Sequence, residues 1–198
     1  MPPRLPLPDP GAMSPEGRAL HARILAGRTG RMVGPQRANI HSPALAEAWS
    51  GLGEMLRHGT VLPTVLLELA IIVVGRRWNS QVEFHYHAAA ALKAGLDPAV
   101  VEAIRTGAPP TLPAPELREV YELARQVQTG GDAEDAAYAA ILARWGERGT
   151  VELVAMIGFY TMVCIALNLH RIPLPDGVAP PLPRLAGDAA LAPLPPAA

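Results

Sequence analysis

Two carboxylates and an imidazole, Glu68, Glu83 and His87, stand inside stretches that are otherwise strongly apolar, and a workable fold has to give them partners. The run reads E-L-A-I-I-V-V-G-R-R-W-N-S-Q-V-E-F-H-Y-H. A carboxylate buried alone is costly, so such groups are paired, hydrogen-bonded or shifted in pKa. Residues three and four apart share one face of a helix. Ser80, Glu83 and His87 have that spacing and form one polar stripe. If the chain turns back at Trp78-Asn79-Ser80, Glu68 on the preceding helix faces the stripe.

The punctuation of the chain predicts helices throughout. Ser14-Pro15-Glu16 opens a first helix and Ser42-Pro43 a second, each with a capping residue followed by proline. Pro63 opens the third, which carries Glu68, and the fourth runs from about Ser80 to Ala94 and stops at Gly95. Asp97-Pro98 opens a short fifth helix and Pro115-Glu116 a sixth, ending at Gly130-Gly131. Asp132 is expected to cap a seventh, and Thr150 a long eighth reaching about His170. No run alternates as a strand would. The expected class is all-α, a bundle of about eight helices. The domain is expected over 14–172, with a Pro-rich arm at 1–13 and a Pro- and Ala-rich tail at 173–198. The first few residues after 173 are expected to clasp a neighbouring surface.

Composition narrows the function classes. The 198 residues fit one domain, and the net charge of −1 is spread evenly, so no nucleic-acid footprint is expected. One cysteine, Cys164, excludes an intramolecular disulfide and fits a reducing compartment. The N-terminus lacks the apolar core of a signal peptide, and a cytoplasmic protein is expected. Val61 to Gly75 and Leu153 to Leu169 are apolar, but they are short for a membrane span and carry polar groups, so no membrane partner is expected. The third and eighth helices are apolar nearly all round. A single subunit of this size is expected to have difficulty surrounding both, which points to at least a dimer.

The order E-x11-S-x2-E-x3-H resembles the carboxymuconolactone decarboxylase family, including its alkylhydroperoxidase (AhpD-like) branch. The redox branch has E-x11-C-x2-C-x3-H, and Ser80 and Glu83 occupy the places of its two cysteines. The resemblance covers about residues 35 to 177. It takes in S-P-A-L-A-E-A-W before the motif, A-L-K-A-G-L after it, and G-F-Y-T-M-V-C-I-A-L-N-L-H-R-I-P-L-P near the end. It implies an AhpD-like helical fold, compact homo-oligomers (dimer, trimer or hexamer), and chemistry of the kind found in aromatic catabolism. It also implies a proton-relay role for Glu68 and a retained catalytic His87.

The residues themselves leave several roles open. Glu68 is a relay carboxylate or the partner of Arg76 or Arg77. Glu83 is a general acid, a group that orients His87, or an ion-pair partner of an arginine. Ser80 binds substrate or caps the fourth helix. Arg76 is a candidate for a substrate carboxylate, since arginine recognises carboxylates bidentately; solvation is its alternative. No metal is expected: His85 and His87, two apart on a helix, cannot face one ion, although Glu68, Glu83 and His87 with a water would make an open site. Trp49, Met55 and Leu56 read as core.

Three functions follow as expectations. The first is an acid–base enzyme of the decarboxylase type, without a cofactor, acting on a small organic acid or lactone by decarboxylation, isomerisation or proton transfer. The second is a peroxiredoxin-like alkylhydroperoxidase, opposed by the missing thiol pair. The third is a non-catalytic scaffold or ligand-binding protein of the same fold.

Overall fold

A computed structural model describes residues 2–6, 8–26, 32, 34–185 and 191–198. Among them the regular structure is helical, with no strand: α1 (Pro15–Ala26), α2 (Gln36–Asn39), α3 (Pro43–His58), α4 (Thr64–Arg77), α5 (Gln81–Lys93), α6 (Pro98–Thr106), α7 (Pro115–Gly130) and α8 (Asp135–His170). A short 3₁₀ turn, Pro10–Ala12, precedes α1. Parts of the expected arm and tail, residues 1, 7 and 186–190, lie outside the described residues.

Helix α4 is the axis of the molecule. Its sequence is rich in β-branched residues, which are mediocre helix formers, so packing has to hold it. Every residue from Leu66 to Arg76 is buried, against α5, α6, α7 and α8. One chain therefore encloses α4 by itself, because four helices of the same chain flank it, whereas one face of α8 stays exposed.

The α4–α5 connection is as short as a helical turn-back allows. Asn79 takes φ 48°, the left-handed conformation at the position after the cap. The Ser80 N–H donates to the Gly75 carbonyl at 2.9 Å and the Asn79 N–H to the Arg76 carbonyl at 3.0 Å. These two bonds are a Schellman closure, with asparagine where glycine is commoner. The expected reversal at Trp78-Asn79-Ser80 is thus present, and α5 starts with its polar stripe facing α4. Gly95, at φ 97°, ends α5 by the same device: the Leu96 N–H reaches the Ala91 carbonyl at 3.0 Å.

The expected seventh and eighth helices form one 36-residue run broken at Gly146, whose φ of 67° and ψ of −176° are open essentially to glycine alone. Asp132 does not cap it; its carboxylate accepts the adjacent Ala133 N–H, and Glu134 takes the cap position. Thr150 is no cap either. Its hydroxyl donates back to the Gly146 carbonyl at 2.8 Å, a bond available to a threonine already one turn inside a helix. Helix α2 has no counterpart in the sequence reading; four residues carry too little periodicity to detect.

Beyond Gly146, α8 has two faces. Leu153, Met156, Ile157, Tyr160, Val163, Cys164 and Leu167 are buried. Val151, Ala155, Gly158, Met162, Ile165 and Leu169 are exposed and follow one another by alternate steps of four and three. Its most apolar 18-residue window, of mean hydropathy 2.0, satisfies the length and composition of a membrane span, yet 56% of that window is buried inside the chain, as in a core helix.

Of the residues read as core on α3, Leu56 is buried and Trp49 half-buried, while Met55 is 44% exposed. The C-terminal residues lie on their own chain: Ala192 and Leu194 are buried, and Tyr121 donates to the Pro195 carbonyl at 2.7 Å. Arg77 holds this segment down, donating to the Ala192 carbonyl at 2.8 Å and to the Gln128 carbonyl at the end of α7 at 3.0 Å.

Candidate active site

Glu68, Glu83 and His87 meet. The His87 Nδ1 lies 2.6 Å from Glu68 Oε2, and its Nε2 lies 3.0 Å from Glu83 Oε1. All three are more than nine-tenths buried. Glu68 comes from the second turn of α4; Glu83 and His87, four apart, come from one face of α5. The Nδ1 contact is a hydrogen bond, whereas Glu83 Oε1 meets the ring at ion-pair distance without hydrogen-bond geometry. Glu68 therefore fixes the ring, and Glu83 Oε1 stays buried beside Nε2 without a hydrogen-bond partner.

Burial alone pulls the His87 pKa down, but the charge and close approach of Glu83 and the hydrogen bond to Glu68 outweigh it and raise the pKa to about 9. At neutral pH the ring then carries both protons, one for each flanking carboxylate. Two carboxylates against one imidazolium leave a formal excess of one negative charge.

Glu83 and His87 form part of the wall of a cavity of about 500 Å³ between α3, α5 and α8; Glu68 stands behind the ring and does not line it. Tyr160 of α8 packs its edge against the imidazole, with centroids 5.0 Å apart, and also lines the cavity. Burial, then the Glu83 charge, holds its hydroxyl far above the usual phenol range, so it stays a neutral donor. Trp49 and Phe159 complete an aromatic wall, their centroids 5.5 Å apart.

The other sequence candidates fall elsewhere. Ser80 occupies the cap position of α5, but its hydroxyl makes no cap bond; it is fully buried, lacks a hydrogen-bond partner and lies outside the cavity wall. Arg76 is buried at the far end of α4, donating to Asn79 Oδ1 at 2.9 Å, with Gly107 against its guanidinium and the like charge of Arg105 nearby. It does not line the cavity, and neither it nor Arg77 pairs with Glu68. His85 is half-buried, edge-on to Tyr86, away from His87. Cys164 lies behind the site; burial, and then the Glu83 charge, pushes its thiol well above the usual range. Among the described residues no group of three or more His, Cys, Asp and Glu side chains is arranged to hold a metal ion.

Sequence reasoning does not single out Arg57, Phe159 or the cavity role of Trp49, and it leaves Tyr160 between lining a pocket and satisfying a helix end. Phe159 and Tyr160 lie on α8, far along the chain from the motif, and Trp49 and Arg57 lie on α3, before it. A tyrosine within the apolar α8 run is the one local signal.

The sequence matches no protein-family model and no curated protein. Solved structures of similar fold include two that are described as peroxidase-related. One is an uncharacterized peroxidase-related protein from Silicibacter sp. TM1040, 19% identical, with a TM-score of 0.68 over 86% of this chain and 90% of that one. The other is an uncharacterized peroxidase-related protein from Ralstonia eutropha JMP134, described as an alkylhydroperoxidase AhpD core. It is 14% identical, with a TM-score of 0.69 over 88% of this chain and 93% of that one. At these identities the likeness establishes the fold: an all-α, AhpD-like architecture, as expected from the motif.

Proposed function

We propose that this chain is an acid–base enzyme of the carboxymuconolactone decarboxylase type, moving protons on a small organic acid or lactone. The observation that carries this reading is His87, held between two carboxylates with only Glu83 and the ring open to a cavity. Glu68 accepts the Nδ1 proton and keeps Nε2 aimed at Glu83 and the ligand, as the orienting carboxylate of a catalytic dyad does. The protonated ring donates; Glu83 accepts. In a decarboxylation, the C–C electron pair left by departing CO2 passes into a lactone or keto carbonyl, and His87 delivers a proton to the carbon. In an isomerisation, Glu83 removes a proton next to the carbonyl and His87 returns one elsewhere.

The hydroperoxidase alternative has less support. It needs a thiolate and a resolving thiol, and the single cysteine is fully buried with its pKa raised. The scaffold alternative treats the triad as a structural ion network. Solvent-deuterium incorporation and CO2 release, measured across lactone acids and keto acids, separate the readings. Turnover lost in His87→Ala supports acid–base catalysis; a folded wild type that exchanges nothing on the panel supports the scaffold.

We also propose that the chain acts as a homo-oligomer through α8. Six exposed positions at steps of four and three form a seam of 3.5-residue period, the spacing at which one helix packs along another.

A further inference from the structure

We infer that Arg57 recognises the substrate's anionic group, and that the ligand is a planar carboxylate bound with its acid end at Arg57 and its reactive carbon at Glu83 and His87. This rests on the acid–base reading above and adds the class and the orientation of the ligand.

Arg57 lines the cavity from α3, and among the described residues no carboxylate lies within ion-pair distance of it. Glu54, one turn earlier on the same wall, is turned towards His58, with Oε2 and Nε2 3.8 Å apart. A guanidinium without a partner in a cavity wall offers two parallel donors, the geometry a carboxylate matches. Its charge is felt at Tyr160, where it opposes the rise in the hydroxyl pKa, so it acts across the space next to His87.

The opposite wall has the other sign. Glu68 and Glu83 outnumber the single imidazolium, and a carboxylate pressed against Glu83 would meet like charge. An anionic ligand in this cavity is therefore oriented, acid end at Arg57 and uncharged end at the triad. Between the two ends stand the aromatic rings of Trp49, Phe159 and Tyr160, with Phe159 and Tyr160 edge to face and their centroids 5.4 Å apart. Aromatic faces favour a conjugated or aromatic ligand, which stacks without losing internal rotations. A cavity of about 500 Å³ accommodates a molecule of that size.

The orientation selects a reaction. The anchored carboxylate is retained, and the proton moves at a carbon conjugated with a neutral carbonyl. Glu83 takes the C–H proton as the electron pair passes into the carbonyl; the Nε2 proton of His87 goes to another carbon as that pair returns. The proton on Glu83 then crosses the 3.0 Å contact to Nε2 and restores the starting charges.

The test is calorimetric titration of the full chain with benzoate and trans-cinnamate, against benzamide and cinnamamide. The expected result is binding of the acids at least about tenfold tighter than the amides, the effect of one charged hydrogen-bonded contact. Arg57→Gln is expected to abolish that preference, and Arg57→Lys, which keeps the charge without the fork, to retain part of it. Cinnamate is also expected to quench tryptophan fluorescence in wild type and not in Trp49→Phe. Equal affinity for acids and amides, an unchanged preference in Arg57→Gln, or no binding of any probe at millimolar concentration overturns the inference. Binding is read without turnover: acids that bind through Arg57 while the exchange panel stays silent would remove the acid–base reading and leave this one standing. Arg57 is exposed, so its variants are expected to fold, and circular dichroism checks that.

Discussion

At the scale of single residues, the proton of His87 decides what the site can do. Its folded pKa of about 9 lies above the ordinary 6.5, so the native state binds more protons than the unfolded chain between those values. The stabilisation is fully present below about pH 6.5 and is lost as pH rises through about 9. It amounts to on the order of 3 kcal/mol, at 1.36 kcal/mol per pH unit. Urea denaturation at pH 6 and pH 9.5 is expected to show that loss in wild type and a much smaller one in His87→Gln; parallel curves would dissociate the triad from stability. Glu68→Gln keeps a partner at Nδ1 but removes its charge. It is expected to lower the His87 pKa and slow any proton-exchange activity about a hundredfold, the scale of a misplaced general acid. Steady-state exchange rates in the two proteins check this. The triad is legible in the sequence because three polar residues at helical spacing within apolar runs have to find one another if they are to be buried. Arg57 is not: its approach to His87 depends on how α3 lies against α8, and nothing local encodes that. Arg76 stands out through nearness along the chain, yet the turn of α4 carries it away from the cavity.

At the scale of elements, α8 combines two demands that the sequence signals as one. Its residues read as two helices, and Gly146 is where they divide, but the chain continues through the break instead of looping. Thr150 looks like a cap because a threonine opening an apolar run has the right type; its hydroxyl in fact turns back to the preceding turn. Gly146→Ala forces a side chain into φ 67°, and a loss of about 1–3 kcal/mol in urea denaturation is expected. An unchanged stability would mean the break moves elsewhere at no cost. The exposed seam of α8 gives a second prediction. Ile165→Glu places a charge within the stripe without touching the buried face, and is expected to reduce the mass measured by analytical ultracentrifugation to that of the 20.9 kDa chain. The same mass in wild type and variant would remove α8 as the contact.

At the scale of the whole molecule, the chain closes on itself at its C-terminal end. The proline-rich tail forms no helix of its own, and residues 191–198 lie against α7, through Ala192, Leu194 and the bond from Tyr121 to Pro195. All-α class and the α4–α5 hairpin follow from punctuation and period, which are local. The enclosure of α4, the course of the tail and the composition of the cavity are sums over distant segments, and only the folded chain displays them. The folded chain holds a doubly protonated imidazole between two carboxylates at the cavity wall. ¹⁵N NMR titration of the His87 ring tests this most directly. Both ring nitrogens are expected to be protonated at pH 7.5, with the charge lost near pH 9. A neutral ring at pH 7.5, titrating at or below 6.5, would contradict the claim.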